Sequence, residues 1–90
     1  MKTKEKIYSE AVERFGKIHQ LDMCIEECAE LIQAINKFKR NPNIYIDLCE
    51  EIADAEITIE QLKLILNKDE LIDKIKEDKL RRLDEKMREI

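Results

Sequence analysis

At 90 residues, 42% charged and 43% hydrophobic with a single glycine and a single proline, the chain has the composition of long amphipathic helices. It reads as one all-α domain over residues 1–90, of the four-helix-bundle type, and so short a helical chain is expected to complete its core by oligomerisation. The net charge of −4 comes from 17 basic and 21 acidic side chains interspersed along the chain, which excludes the strong positive field that attracts a nucleic-acid polymer or an anionic membrane.

The N-terminus, Met1 to Lys6, is charged and leads into Ile7-Tyr8 without the apolar run of a signal peptide, and no stretch reaches membrane-spanning length, so a cytoplasmic location is expected. The first predicted helix runs from about Lys2 to Phe15, with Ile7, Ala11, Val12 and Phe15 inward and Gly16 as its left-handed terminator. The second carries Ile18, Leu21, Ile25, Cys28, Ile32 and Ile35 in steps of three and four, like the a and d positions of a heptad, and ends near Lys39 or Arg40. Lys37, Lys39 and Arg40 read as a solvated helix end whose charge suits the C-terminal dipole. Asn41-Pro42-Asn43 then turns the chain, with Asn43 as the cap of the third helix.

That third predicted helix has Leu48, Ile52, Ala55, Ile59, Leu62 and Leu66 as its seam, and Asn67-Lys68-Asp69 closes it and caps the next. The last spans about Asp69 to Met87, with Ile72, Ile75, Leu83, Met87 and Ile90 on one side. Lys79 falls where that seam should carry an apolar residue, and Arg82 follows one turn on. The pair suits a phosphate clamp as well as it suits a lysine snorkelling past a helix crossing. Cys24, Cys28 and Cys49 are odd in number and lack a CxxC spacing, so they are expected to be buried reduced thiols.

Two acidic clusters interrupt the apolar pattern: Glu26-Glu27-Cys28-Ala29-Glu30 and Glu50-Glu51-Ile52-Ala53-Asp54. At about 100° per residue, Glu27 falls between Phe38 and Ala34 on the helical wheel, while Glu26 lies between Gln33 and Lys37 on the solvated side. Glu30 shares the edge of Glu27. Glu51 falls between Thr58 and Leu62 at the rim of its seam, with Asp54 beside it. A carboxylate at an apolar edge is costly unless paired or bound to metal, and neither cluster has a Lys or Arg one turn away. Paired acids also occur on solvated helix faces, where they need no ion. A carboxylate-only set without histidine favours Mg²⁺, with Mn²⁺ as a substitute, over zinc or di-iron chemistry.

Read as Glu26-Glu27-x-x-Glu30, a spacer, then Glu51-x-x-Asp54, the chain resembles the MazG-like, all-α nucleoside triphosphate pyrophosphohydrolases, whose signature is EExxE followed by ExxD. Gln20-Leu21-Asp22-Met23 before the first motif, Ala29 to Ala34 through it and Glu60-Gln61-Leu62-Lys63 after the second extend the likeness over roughly Ala11 to Leu83. The resemblance implies hydrolysis of an NTP or dNTP to the monophosphate and pyrophosphate. It also implies Glu27, Glu30, Glu51 and Asp54 as Mg²⁺ ligands. Glu26 would then support a ligand, bind another ion or act as the base that positions the attacking water. Lys79 and Arg82 are the candidate phosphate-facing residues, and Gln20, with His19, a candidate for touching base or ribose. A homodimer or dimer of dimers is the expected assembly. The alternative is a non-catalytic helical interaction protein with a degenerate acidic site.

Overall fold

The computed structural model describes residues 1–89, and Ile90, assigned above to the apolar side of the last helix, lies outside them. Four helices follow in order: α1 (Lys4–Phe15), α2 (Lys17–Arg40), α3 (Tyr45–Leu66) and α4 (Asp69–Arg88). The fold is all-α, as the composition predicts, with no strand among the described residues.

Local chemistry accounts for the boundaries. The Thr3 hydroxyl accepts the Lys6 amide at 3.1 Å, which caps α1 two residues later than expected. Gly16 ends α1 and opens α2 at φ +92°, a region open to glycine and strained for other residues. Between α2 and α3 it is Asn41, not Asn43, that makes the polar turn: its Oδ1 accepts the Asn43 amide at 3.2 Å. Ile44 occupies the N-cap position of α3 without a side-chain cap. Asn67, at φ +54°, closes α3 in the left-handed region that asparagine tolerates, and Lys68 rather than Asp69 precedes α4.

The principal contact is between α2 and α3, with α1 laid against both; α4 packs extensively on none of them. The two long helices run antiparallel, so that Gln20 meets Gln61, Glu27 meets Asp54 and Glu30 meets Glu51. Small side chains let them approach closely: Cys24, Ala34, Ala55 and Thr58 are all buried. Thr58 satisfies its own hydroxyl by donating to the Ala55 carbonyl at 2.9 Å.

This packing turns Ile18, Ile25, Ile32 and Ile35 of the expected α2 seam outward and leaves Leu21 and Cys28 half-buried. On α2 the inward stripe is Gln20, Cys24, Glu27, Leu31, Ala34 and Phe38, whereas Ile18, Ile25 and Ile32 are 73%, 69% and 61% exposed. On α3 Leu48, Ala55 and Leu62 point inward as predicted, but Ile52, Ile59 and Leu66 face out. On α1 Ala11 and Val12 are half-buried while Ile7 and Phe15 are exposed. Of the thiols, Cys24 is buried and Cys28 half-buried, but Cys49 is exposed. The physical reason is that α2 and α3 each carry two apolar stripes, and the one with the smaller residues makes the closer helix contact.

The chain is consequently open. Its radius of gyration is 16.1 Å, against about 12 Å for a compact domain of this length. It exposes 7770 Å², whereas a compact monomer of the same mass would expose about 5500 Å².

Candidate metal centre

The antiparallel pairing of α2 and α3 brings together acids 21 to 27 positions apart in the sequence. Glu27, Glu51 and Asp54 each present a carboxylate oxygen, and the three oxygens lie within 4.8 Å of one another. Glu30 comes within hydrogen-bonding reach of Glu51. Glu27, Glu30 and Glu51 are half-buried and Asp54 is exposed, so the cluster opens to solvent on one side.

Clusters of acids on helix surfaces are commonplace; this one differs in having oxygens cut off from water. Oε2 of Glu27 and Oε2 of Glu51 are buried and have no hydrogen-bond partner. The ion pairs among the described residues lie elsewhere, on α1, at Glu60–Lys63 and along α4. Burial pushes the Glu27 carboxyl pKa up, and the charges of Glu30, Asp54, Glu51 and Glu26 add to the effect. Burial likewise raises that of Glu51, reinforced by Glu30, Asp54 and Glu50. Orphaned carboxylate oxygens of this kind fit a hard divalent cation, which supplies the missing charge and the missing bond together.

Both shifts carry the same sign for stability. A carboxyl whose pKa is raised on folding binds its proton more tightly in the folded chain, so its contribution falls as pH rises through the raised value. Asp78 has the opposite sign, held low by a hydrogen bond from Arg81 and by the charge of Arg82. Its effect is lost only below the ordinary aspartate range, so pH 5 to 8 isolates the cluster. The metal-free chain is expected to lose Tm between pH 5 and pH 8, and saturating Mg²⁺ to raise Tm more at pH 8, because protons and metal compete for the same oxygens. Thermal melts at the two pH values with and without Mg²⁺ check this; an equal Mg²⁺ shift at both would count against a shared set of oxygens.

A cavity of about 320 Å³ adjoins the cluster. Glu30, Gln33, Ala34 and Lys37 of α2 line one side, and Ile44, Asp47, Glu50 and Glu51 the other. The remaining sequence-predicted residues lie apart from it. Glu26 is exposed beside Glu27. Gln20 is buried, its amide donating to Gln61 Oε1 across the α2–α3 contact at 2.6 Å while its own oxygen lies 2.7 Å from His19 Nδ1 on the same helix, so its polar atoms are taken up within the fold. Lys79 and Arg82 share a recess on α4 with Leu71, Lys74, Ile75 and Asp78, and Arg82 pairs with Asp78 at 2.8 Å. Within one chain α4 is not folded over the acids.

Sequence reasoning missed Gln61; Lys37 is exposed, as the sequence predicts, and also lines the cavity beside the acids. A signal for Gln61 was present: it follows Asp54 by two helical turns, as Gln20 precedes Glu27 by two, so the glutamines extend the stripes that carry the acids. No family model, curated protein or solved structure matches the chain.

Proposed function

We propose that the chain hydrolyses a nucleoside or deoxynucleoside triphosphate to the monophosphate and pyrophosphate in a Mg²⁺-dependent reaction of the MazG-like type, as a cytoplasmic keeper of the nucleotide pool. The observation that carries this is the pair of orphaned oxygens on Glu27 and Glu51, in a cluster with Asp54 whose Glu51, together with Glu30, also lines a cavity large enough for part of a nucleotide.

Glu27, Glu30, Glu51 and Asp54 would hold the ion. Bound there, Mg²⁺ supplies charge neutralisation for the triphosphate and a lowered pKa for the attacking water; Mn²⁺ suits the same oxygens. The proton of the attacking water passes to solvent or to the exposed Glu26 carboxylate beside Glu27, which would otherwise support a ligand or bind another ion. The water oxygen bonds to phosphorus, the α–β phosphoanhydride breaks and pyrophosphate leaves with the electron pair. Positioning and electrostatics carry such a reaction, so no covalent nucleophile is required.

A second copy belongs to this function. The excess exposed surface, about 2200 Å², is of the size that stable protein interfaces bury, and the Ile18, Ile25 and Ile32 stripe with Ile52, Ile59 and Leu66 offers a two-helix face for it. A homodimer, or a dimer of dimers, joins two α2–α3 pairs through this face. In such an assembly α4 of a second copy could bring Lys79 and Arg82 to the phosphates that α4 of the same chain does not approach.

The test is incubation with each common and damaged NTP and dNTP in Mg²⁺, with pyrophosphate as readout. Release from at least one, abolished by a chelator, is expected; a blank panel overturns the reading. The exposed isoleucine stripes favour one rival, a non-catalytic helical interaction protein, which predicts a blank panel together with no Mg²⁺-dependent rise in Tm.

A further inference from the structure

The cavity between α2 and the start of α3 is built against the acids, and its only basic side chain is Lys37. Lys39 and Arg40, grouped with it as a solvated helix end in the sequence, do not line it. Although Glu30, Asp47, Glu50 and Glu51 border the same cavity, Lys37 makes no ion pair within 4.0 Å among the described residues. Its ammonium is therefore not consumed in neutralising the wall.

Helix geometry sets its reach. Lys37 follows Glu30 by seven residues on the same face of α2, about 10 Å along the axis. Side chains on a helix lean toward its N-terminus, so the exposed lysine stem, about four methylenes long, is able to reach back toward Glu30 and close much of that distance. What remains is the span of a short phosphate chain. A bare polyanion would be repelled by four carboxylates, so the phosphates enter with their counter-charge at the acidic end, and Lys37 is the fixed positive charge at the other. Ala34 and Ile44 contribute the apolar part of the wall and offer no competing bond.

We infer that Lys37 binds the outer phosphates of a triphosphate lying along this cavity, opposite the acids, an assignment that rests on the triphosphate reading above. It makes Lys37 a substrate-binding residue that distinguishes triphosphate from monophosphate, with the monophosphate end nearer the acids and the pyrophosphate end nearer the lysine.

The experiment measures binding by calorimetry in Mg²⁺, using the α,β-imido analogues of the four common deoxynucleoside triphosphates and the corresponding monophosphates. Lys37→Met is expected to weaken the analogues by about tenfold or more, the worth of one charge-assisted hydrogen bond, and to leave the monophosphates unchanged. Lys37→Arg should keep most of the affinity. An unchanged Mg²⁺-induced Tm rise in Lys37→Met shows that the fold and the metal centre survive. Equal weakening of both ligand classes, or of neither, overturns the role of Lys37 alone. Failure of the wild-type chain to bind any analogue overturns the triphosphate reading, and this assignment with it.

Discussion

Glu27→Gln is expected to lower Mg²⁺-dependent pyrophosphate release by about a thousandfold, since losing one of the ligands of a catalytic ion forfeits several kcal/mol of transition-state stabilisation. The same change should leave the metal-free chain as stable as the wild type or more so. Glu27 has a buried oxygen without a partner and a carboxyl pushed upward by burial and by four neighbouring acids, so a neutral amide of the same shape relieves an unfavourable charge. Two opposite outcomes from one substitution separate a functional acid from a structural one. A residue retained for packing would lose stability when changed; one retained for an ion loses the Mg²⁺-induced rise in Tm and the activity while the apo fold holds. Turnover within tenfold of wild type, or a clear fall in apo Tm, would sink the assignment of Glu27 as a ligand.

The double substitution Ile25→Glu with Ile32→Glu should convert an oligomer to a monomer and lower Tm sharply. These side chains sit seven residues apart on the outward stripe of α2 and are 69% and 61% exposed in the single chain. Burying one isoleucine is worth about 1.5–3 kcal/mol, and a carboxylate at each position would have to be desolvated across an apolar face. Sedimentation at several concentrations reads the result. A wild-type chain that remains monomeric at high concentration, or a double variant that still associates, would show that the stripe is not the contact between copies.

Helix number, helix order and the turns at Gly16, around Asn41 and at Asn67 were legible because each depends on local chemistry. The direction in which the helices face was not. Ile18, Ile25 and Ile32 form the most hydrophobic line on α2, yet the stripe that meets α3 is the one with Cys24 and Ala34, whose small side chains let the backbones approach. Periodicity reports that a stripe is apolar; it does not say whether the same chain or another copy covers it. The acids were the better guide. Glu27 looked misplaced because its wheel neighbours were Phe38 and Ala34, and those residues do belong to the inward face. Its position therefore marked the true helix contact before the isoleucines did.

Glu51 and Asp54 were likewise legible as partners of Glu27, since they hold matching edge positions on the next helix. Lys37 was not, because the cavity that gives it a role is built from Ile44, Asp47 and Glu50, residues on the far side of the Asn41 turn. The same limit applies to Lys79 and Arg82: spacing placed them on one face of α4, but where α4 lies is a property of tertiary contacts, and within one chain it has few.

The buried hydrogen bond between Gln20 and Gln61 works as a ruler for the acids. It lies seven residues from Glu27 on one helix and seven from Asp54 on the other, so the amide pair and the carboxylate pair belong to a single alignment. If α2 slipped by one residue it would translate about 1.5 Å and turn about 100° relative to α3, breaking the bond from the Gln20 amide to Gln61 Oε1 and carrying Glu27 away from Asp54. An all-apolar contact would tolerate such slippage far better, because greasy surfaces have many near-equal alignments. Two glutamines that take no part in the proposed chemistry thus set the spacing that the proposed chemistry needs.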